Sequence, residues 1–252
     1  MVDVRTVAVS GSASGIGRAT CELLVADGAR VIGIDLRAAD VVADLSNVDG
    51  RAVAIDGVNR SCGGRLDAVI ACAGVTSDAA LSVNYFGVVA LLEGLRPLLA
   101  AAPVGRAVAI ASLAAIHPVD EAVVNACLDA DEAKANALSI DPSLRYSSSK
   151  AALCRWIRRN AASAEWAGAG IPLNAVAPGT IRTPMTAPYL GSAEAVAQLD
   201  AIVPMLLNGH AEPETVAKLM RWLVSEENTH VTGQIVFVDG GADVVLRGDT
   251  GW

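Results

Sequence analysis

The stretch Gly11-Ser12-Ala13-Ser14-Gly15-Ile16-Gly17 follows an apolar run at residues 4–10 and opens a helix-like segment at residues 14–27. Glycine lets a backbone approach a pyrophosphate closely, and the unpaired amides at a helix start favour an anion. The spacing is G-x-x-x-G-x-G rather than the G-x-G-x-x-G of the general dinucleotide fingerprint, and glycine-rich turns also occur without a ligand. Because a strand precedes this turn and a helix follows it, the stretch predicts a phosphate-binding loop.

The rest of the chain alternates short apolar runs, rich in β-branched residues, with longer helix-like segments. Strands that are apolar on both faces indicate helices on both sides of the sheet, and the alternation implies βαβ crossovers. We therefore predict an α/β fold, a single-domain Rossmann-like doubly wound parallel sheet of about seven strands that spans residues 1–252. The predicted strands are at residues 4–10, 31–36, 66–74, 106–112, 171–177 and 234–238, with a further apolar run at 41–45, and the predicted helices are at 14–27, 48–62, 81–101, 146–166 and 212–225.

Composition narrows the class of protein. Apolar residues make up 53% of the chain and charged residues 18%, so a large core can form. The net charge of −8 argues against a nucleic-acid partner and against an anionic membrane surface. No uninterrupted apolar run approaches the ~18 residues that a membrane span needs, and residues 1–5 lack the layout of a signal peptide. We expect a cytoplasmic protein with no membrane or nucleic-acid partner.

Cysteine and histidine usage indicates neither a metal site nor a disulfide framework. The cysteines are odd in number, none forms a C-x-x-C pair, and the histidines are scattered. We expect reduced, mostly buried thiols and no metal. The residues concerned are Cys21, Cys62, Cys72, Cys127, Cys154, His117, His210 and His230.

Asp35 ends the second predicted strand, about twenty residues past the glycine loop. A carboxylate at this place accepts hydrogen bonds from an adenosine ribose and repels a 2′-phosphate, so it favours NAD over NADP. The alternatives are a solvated carboxylate at a strand end and a neighbouring Arg37 that tolerates a phosphate. We expect Asp35, rather than Arg37, to determine the cofactor preference.

Tyr146 and Lys150 are four residues apart in Tyr146-Ser147-Ser148-Ser149-Lys150, so a helix would point both side chains the same way. A phenol with a pKa near 10 exchanges protons poorly at neutral pH, but an adjacent ammonium favours the phenolate. The pair therefore predicts a tyrosine that is a general base for alcohol oxidation or a general acid for ketone reduction. Chance Y-x-x-x-K matches are common on protein surfaces. The pair therefore indicates a catalytic role only because of its place in the order of the surrounding strands and helices.

The order of these motifs resembles that of the short-chain dehydrogenase/reductase family over nearly the whole chain. Asp44-Leu45 matches the family's adenine-side contact, and Val238-Asp239-Gly240-Gly241 its C-terminal strand ending. Pro178-Gly179-Thr180-Ile181-Arg182-Thr183 matches the P-G-x-x-x-T segment beside the nicotinamide, and Ala71-Cys72-Ala73-Gly74 stands where the family has N-N-A-G. The resemblance implies that NAD(H) is bound by Gly11, Ser14, Gly15, Ile16, Gly17, Asp35, Leu36, Asp44, Leu45, Ala73, Gly74, Tyr146, Lys150, Pro178, Gly179, Ile181 and Thr183.

The resemblance also implies the catalytic set. Tyr146 matches the general acid/base, Lys150 the lysine that binds the nicotinamide ribose, and Asn84 the asparagine that holds a water in the proton relay. The family's serine usually lies shortly before the tyrosine, where this chain has Lys134-Ala135-Asn136. We assign Ser112 instead, because Ile110-Ala111-Ser112-Leu113-Ala114 resembles the family's I-S-S-x-A segment.

The assignment of Ser112 makes residues 113–145 an insertion before the tyrosine, with one or two helices of its own over residues 120–138. The alternative serines, which we expect on turns or helix surfaces, are Ser139, Ser143 and Ser147. This insertion, a short 35–44 region and Ser82-Val83-Asn84-Tyr85-Phe86-Gly87 resemble most closely the bacterial 3α-hydroxysteroid dehydrogenase/carbonyl reductase type. The family analogy implies a homodimer or homotetramer, in which the asparagine and tyrosine helices often form an interface that the insertion would block or remodel.

Residues 180–210 are expected to form a flap over the substrate, because ligands of open α/β sheets bind beyond the carboxyl ends of the strands. An apolar lining suits a hydrophobic alcohol or ketone, although some of these residues are expected to pack on the sheet or on a second subunit. The apolar residues of the flap are Met185, Tyr189, Leu190, Ile202, Val203, Met205, Leu206 and Leu207.

The predicted function is an NAD(H)-dependent oxidoreductase that interconverts a hydrophobic secondary alcohol and its ketone, with a hydroxysteroid or similar bulky alicyclic or aryl alcohol as candidate substrate. The alternatives are a dehydrogenase of a terpenoid or other small alcohol and a non-catalytic NAD(H)-binding sensor. A nucleotide-sugar epimerase or dehydratase shares the tyrosine–lysine pair but usually needs a longer C-terminal substrate region.

Overall fold

The computed structural model describes residues 4–139 and 141–250 of the chain. Three parts of the chain lie outside the described residues: residues 1–3 of the N-terminal segment considered above, residue 140 of the insertion, and residues 251–252.

The described strands form one parallel sheet of seven, which confirms the predicted doubly wound architecture. The strand order is β3-β2-β1-β4-β5-β6-β7, so the chain leaves β1 in one direction and returns to β4 on its other side. A crevice forms at such a switch point, outside the carboxyl ends of the strands. The strands are β1 (Thr6–Ser10), β2 (Arg30–Asp35), β3 (Val41–Val42), β4 (Ala68–Ala71), β5 (Arg106–Ile110), β6 (Leu173–Pro178) and β7 (Ile235–Val238).

Helices cover both faces of this sheet, as the doubly apolar strands predict. On one face Leu24, Met220 and Leu223 pack against strand residues such as Val7 and Val108. The other face carries a larger core that the remaining long helices share. The α-helices of the described chain are α1 (Gly15–Ala26), α2 (Val48–Ser61), α3 (Val88–Ala101), α4 (Glu121–Leu128), α5 (Glu132–Leu138), α6 (Pro142–Asn160), α7 (Ala193–Ile202), α8 (Pro213–Leu223) and α9 (Ala242–Arg247).

The tyrosine helix α6 begins earlier and ends earlier than the predicted 146–166. Asp141 is its N-cap and accepts a hydrogen bond from the Ser143 N–H, and Pro142 occupies the first turn, where its missing N–H is tolerated. After Asn160 the chain turns away and forms a short 3₁₀ turn at Ala167–Ala169. Tyr146 therefore lies inside the helix rather than at its start.

The insertion holds helices α4 and α5, as predicted, and its last residues belong to α6. α4 lies against α6, where Arg155 donates two hydrogen bonds to the Glu121 carboxylate at 2.6 and 2.7 Å. Two serines after Tyr146 also bind the insertion: the Ser147 hydroxyl donates to the Pro118 carbonyl, and the Ser148 hydroxyl accepts from the Asp120 N–H. The insertion is thus fixed directly to the tyrosine helix.

Ser147 is buried within α6 rather than on a helix surface, so that part of the sequence prediction is wrong, whereas Ser139 follows α5 outside the helices but is also buried. Ser139 and Ser147 are buried because each hydroxyl is used inside the fold: Ser139 accepts a hydrogen bond from Arg145 Nε, and Ser147 donates to a carbonyl. Ser143 is exposed on the first turn of α6, as expected.

Within the described residues one helical stretch, Ser82–Ala101, is long and apolar enough to cross a bilayer by length and composition alone. More than half of its most apolar window is buried. Leu91, Leu92 and Leu95 of this stretch are fully buried in the core beneath the sheet. It is packed as the core helix of an α/β layer.

Candidate functional site

The candidate site is a cleft along the carboxyl ends of the central strands. Its volume is about 270 Å³, close to the lower limit of the ~300–1,000 Å³ usual for pockets that hold drug-sized ligands. Every residue that the sequence analysis assigns to cofactor binding lines this one cleft, and so does Ser112. Further lining residues, most of them next to a motif residue, were not assigned to the site from the sequence: Ile34, Ala43, Cys72, Val75, Val83, Ile110, Ala111, Pro184 and Thr186.

The glycine loop is packed so closely that side chains are excluded from it. A Cβ on Gly17 would lie 2.1 Å from the Gly11 carbonyl oxygen, and one on Gly11 would lie 2.9 Å from the backbone of Ala73. Gly11 also has a φ of +70°, a conformation that favours glycine. Ser14 precedes α1 without capping it through its side chain, and the first N–H groups of any α-helix lack intrahelical partners. The start of α1 is therefore suited to hold an anion in the cleft.

Asp35 is held in one orientation at the far end of the cleft. Its carboxylate accepts hydrogen bonds from the Ala13 N–H at 3.0 Å and from the Leu36 N–H at 2.7 Å. Asp44 lines the same end, and hydrogen bonds from Ser46 lower the pKa of its carboxyl. This end of the cleft is consequently anionic, whereas the side chain of Arg37 is exposed and not part of the lining.

The segment after β4, where the chain departs from N-N-A-G, is held by Ser10, which was not identified from the sequence. The buried Ser10 hydroxyl accepts hydrogen bonds from the N–H groups of Cys72 and Ala73 at 3.0 and 3.1 Å. Burial raises the pKa of the Cys72 thiol to about 12, so this side chain is neutral. Cys72 therefore acts here as a small apolar wall residue.

Ser112 and Tyr146 come together at the other end of the cleft although 34 positions separate them in the chain. Ser112 starts the 3₁₀ turn Leu113–Ile116 after β5, and its hydroxyl accepts from the Ala114 N–H at 3.2 Å. Burial raises the pKa of the Tyr146 phenol, and a hydrogen bond with the Ser112 side chain opposes this. Ser112 is thus the serine that reaches the tyrosine, while Ser139 and Ser147 bind other partners.

Lys150 is almost completely buried, with 2% of its surface exposed. Its Nζ donates to the Ile110 carbonyl at 2.9 Å and lies 5.8 Å from the centre of the Tyr146 ring. Burial lowers the pKa of Lys150 to about 8, and within the described chain it forms no ion pair.

The effect of this lysine on the tyrosine differs from the sequence expectation. We expected the Lys150 ammonium to lower the pKa of Tyr146, but burial dominates and raises it. The reason is that desolvation of the phenol has the largest effect on its pKa, and the hydrogen bond with Ser112 opposes that effect only in part. The phenol is therefore neutral at pH 7 in this structure.

Asn84 lies behind the cleft rather than in its lining. It sits in a π-helical turn, Ser82–Gly87, that leads into α3, and such turns are frequent at functional sites. Its Oδ1 accepts from the Val75 N–H at 2.8 Å, and its Nδ2 donates to the Val75 carbonyl at 2.9 Å and to the Ser149 hydroxyl at 3.2 Å. A Cβ on Gly74 would lie 3.4 Å from Asn84 Oδ1 and 3.7 Å from Lys150 Nζ, so the asparagine adjoins the lysine.

The flap is only partly as predicted. Met185 lines the cleft, whereas Met205 is buried in a small cluster with Leu113 and Ala242, which Val203 adjoins. At its start Thr183 approaches the glycine loop so closely that a Cβ on Gly15 would lie 3.2 Å from its methyl group. The predicted lining residues that are instead exposed to solvent are Tyr189, Ile202, Leu206 and Leu207.

Comparison with known proteins gives consistent similarities. Residues 5–127 match the model of the short chain dehydrogenase family, and residues 133–243 match that of the enoyl-(acyl carrier protein) reductase family. A 3-alpha-hydroxysteroid dehydrogenase/carbonyl reductase of Comamonas testosteroni is 36% identical over 96% of this chain and 97% of its own.

Two solved structures extend this similarity to three dimensions. The 3-alpha-hydroxysteroid dehydrogenase of Pseudomonas sp. B-0831, complexed with NADH, has a TM-score of 0.90 and 39% identity over 97% of this chain and 99% of its own. A candidate NAD(P)-dependent gluconate 5-dehydrogenase of Beutenbergia cavernae, with bound NADP, has a TM-score of 0.76 and 26% identity over 96% and 97% of the chains.

Proposed function

The chain belongs to the short-chain dehydrogenase/reductase family of oxidoreductases, and from this premise we propose that it interconverts a hydrophobic secondary alcohol and its ketone with NAD(H). One observation carries the proposal: Ser112, Tyr146 and Lys150 line the same cleft as the glycine loop. In this proposal residues 1–252 act as one domain, with residues 113–145 as a helical insertion and residues 180–210 as the substrate flap.

The cleft fits a dinucleotide. The glycine loop offers a diphosphate a surface without side chains and the start of α1. Asp35 and Asp44-Leu45 would hold the adenosine end, Tyr146 and Lys150 the nicotinamide ribose, and Ile181 and Thr183 the carboxamide. When bound, the nicotinamide supplies the site that accepts or donates the hydride.

The side chains of the cleft supply positioning and proton transfer. Ser112 and Tyr146 would both hydrogen-bond the substrate oxygen, and the tyrosine hydroxyl would give or take its proton. Because burial keeps the phenol protonated at pH 7, the free protein is prepared for the acid role in ketone reduction. Lys150 would bind the ribose through its buried Nζ, and Asn84 would hold the adjoining loop through its bonds to Val75 and Ser149.

The preference for NAD(H) is tested through Asp35. Its fixed carboxylate would lie beside a ribose 2′-phosphate, and two like charges about 4 Å apart repel enough to change affinity on the order of a hundredfold. We expect wild-type kcat/KM to be about a hundredfold higher for NAD⁺ than for NADP⁺, and Asp35→Ser to reduce this ratio to about tenfold or less.

Steady-state kinetics with both cofactors measures this ratio. Asp40→Asn is the matched control, because Asp40 lies close in sequence but outside the cleft lining, and an asparagine can still accept the bond from the Gly33 N–H. An unchanged ratio in Asp35→Ser would place the cofactor preference elsewhere, with Arg37 the first candidate.

Gly17→Ala tests the phosphate loop. The added Cβ would lie 2.1 Å from the Gly11 carbonyl oxygen, so the loop backbone must move. A displacement of about 1 Å in a site can lower its activity on the order of a hundredfold. We expect the affinity for NADH, measured by fluorescence titration, to fall by at least that factor. Gly168→Ala, whose Cβ would have its nearest contact at 3.5 Å, should bind NADH normally. Normal binding by a folded Gly17→Ala protein would exclude the loop from the cofactor site.

The substrate class is tested by initial rates of NAD⁺ reduction across steroid, terpene, aryl and small aliphatic secondary alcohols. We expect the highest kcat/KM with a bulky apolar alcohol. Two relatives that match nearly the whole chain are a 3-alpha-hydroxysteroid dehydrogenase/carbonyl reductase and a 3-alpha-hydroxysteroid dehydrogenase, and the cleft that Tyr146 lines is also lined by the apolar side chain of Met185. Preference for a small aliphatic alcohol or a terpenoid would support the alternative substrate class. Tight NADH binding without turnover of any alcohol would support the sensor instead.

A further inference from the structure

Arg51, in the first turn of α2, connects three parts of the molecule from a nearly buried position, with 6% of its surface exposed. Its Nε donates to the Leu45 carbonyl at 2.8 Å, and its Nη2 donates to the Ser82 carbonyl at 2.8 Å. Both Nη atoms donate to the Glu132 carboxylate, at 2.6 and 2.7 Å. The guanidinium therefore joins the cleft wall, the π-helical turn and the insertion.

The wall that Arg51 holds is tightly packed on both sides. Leu45 lines the cleft next to Asp44. A Cβ on Gly87 of the π-helical turn would lie 3.0 Å from Leu45, and a Cβ on Gly50 of α2 would lie 1.9 Å from the Asp44 carbonyl oxygen. The position of the Asp44-Leu45 segment consequently depends on how α2 and the π-helical turn are held together.

Glu132 is the insertion's part of this connection. It is the first residue of α5, and none of the described residues of α4 or α5 lines the cleft. Burial would raise the pKa of Glu132, but hydrogen bonds from Arg51 and Ser82 outweigh it and lower that pKa, so the carboxylate is charged. A bidentate charged pair of this kind fixes orientation as well as distance.

We propose that Arg51, oriented by Glu132, is a positioning residue for cofactor binding that sets the Asp44-Leu45 wall at the adenine end of the cleft. The insertion then contributes to cofactor affinity without touching the cofactor. This inference rests on the proposed function, because the adenine assignment of that wall is part of it.

Arg51→Lys is the principal test. Lysine keeps the charge and the aliphatic stem but lacks the planar fork, so it cannot serve the Leu45, Ser82 and Glu132 acceptors at once. We expect the Kd for ADP-ribose and the KM for NAD⁺ each to rise about tenfold. At saturating NAD⁺, kcat should stay within about threefold of wild type, because Asn84 is held independently by Val75 and Ser149.

Glu132→Gln is the second variant, and it keeps the size of the side chain while removing its charge. It should raise the Kd for ADP-ribose in the same direction by about threefold. The matched control is Glu121→Gln, which weakens another bidentate arginine pair between the insertion and the body of the protein, with both Glu121 and Arg155 outside the cleft lining. Its ADP-ribose affinity should equal that of wild type.

All titrations are made well below the unfolding temperature of every variant, so that general destabilisation does not contribute. Wild-type affinity in Arg51→Lys, or in Glu132→Gln if the first variant does not fold, would overturn the inference. Equal weakening by Glu121→Gln would overturn it as well. If the wild-type protein binds neither ADP-ribose nor NADH, the proposed function fails together with this inference; if it binds both and the variants do too, only the inference fails.

Discussion

Tyr146→Phe is expected to lower kcat by about a thousandfold or more while leaving the Kd for NADH within about threefold of wild type. The substitution removes one hydroxyl and keeps the ring that lines the cleft, so it removes proton transfer and the bond with Ser112 but little packing. Initial rates in both directions, together with NADH fluorescence titration, measure the two effects separately.

Tyr189→Phe is the matched control for this prediction. Tyr189 is 52% exposed and lies outside the cleft lining, so loss of its hydroxyl should leave kcat and NADH affinity unchanged. A Tyr146→Phe protein that keeps a tenth or more of the wild-type kcat would show that the proton is transferred by another group.

Lys150→Met is expected to lower kcat/KM by about a hundredfold or more and at the same time to make the protein more stable at pH 7. The pKa of Lys150 falls from 10.5 to about 8 through burial, which corresponds to about 3 kcal/mol of unfavourable desolvation of the charged form. Methionine removes that cost but leaves the Ile110 carbonyl without its donor, at about 1 kcal/mol. The free energy of unfolding should therefore rise by about 2 kcal/mol.

The lowered pKa of Lys150 also predicts how the stability of the protein depends on pH. The unfolded state, with a lysine pKa of 10.5, binds more protons than the folded state, with a pKa of about 8. Wild-type stability should therefore increase as pH rises from about 8 towards 10.5, and the full cost of the buried charge should be present below 8. Urea unfolding of wild type and Lys150→Met across this range measures the difference; a variant that is both less stable and still active would contradict the account.

Residues whose roles follow from a short sequence pattern could be predicted from the sequence. The glycine loop, Asp35 and the Tyr146–Lys150 pair each follow from a short pattern at a strand end or along a helix. The parallel sheet follows from strands that are apolar on both faces. Even the true start of α6 is indicated locally, because Asp141-Pro142 is a cap followed by a first-turn proline.

Residues that act through distant partners could not be predicted in this way. Ser10 holds the backbone 62 and 63 positions further along, and Arg51 reaches Glu132 across 81 positions. Neither pair leaves a periodic or spaced signal. Composition likewise does not say which way an apolar side chain faces, so Met185 lines the cleft while Leu206 and Leu207 of the same flap are exposed.

In the proposed reaction this chain transfers hydride between NAD(H) and a secondary alcohol carbon, with Tyr146 as the acid/base. The most direct test incubates wild-type and Tyr146→Phe protein with NAD⁺ and a hydroxysteroid deuterated at the carbinol carbon, and then measures deuterium in the NADH formed by mass spectrometry. We expect deuterated NADH with wild type and essentially none with Tyr146→Phe. Tight NADH binding without deuterium transfer from this or any alcohol of the panel would contradict the proposed reaction.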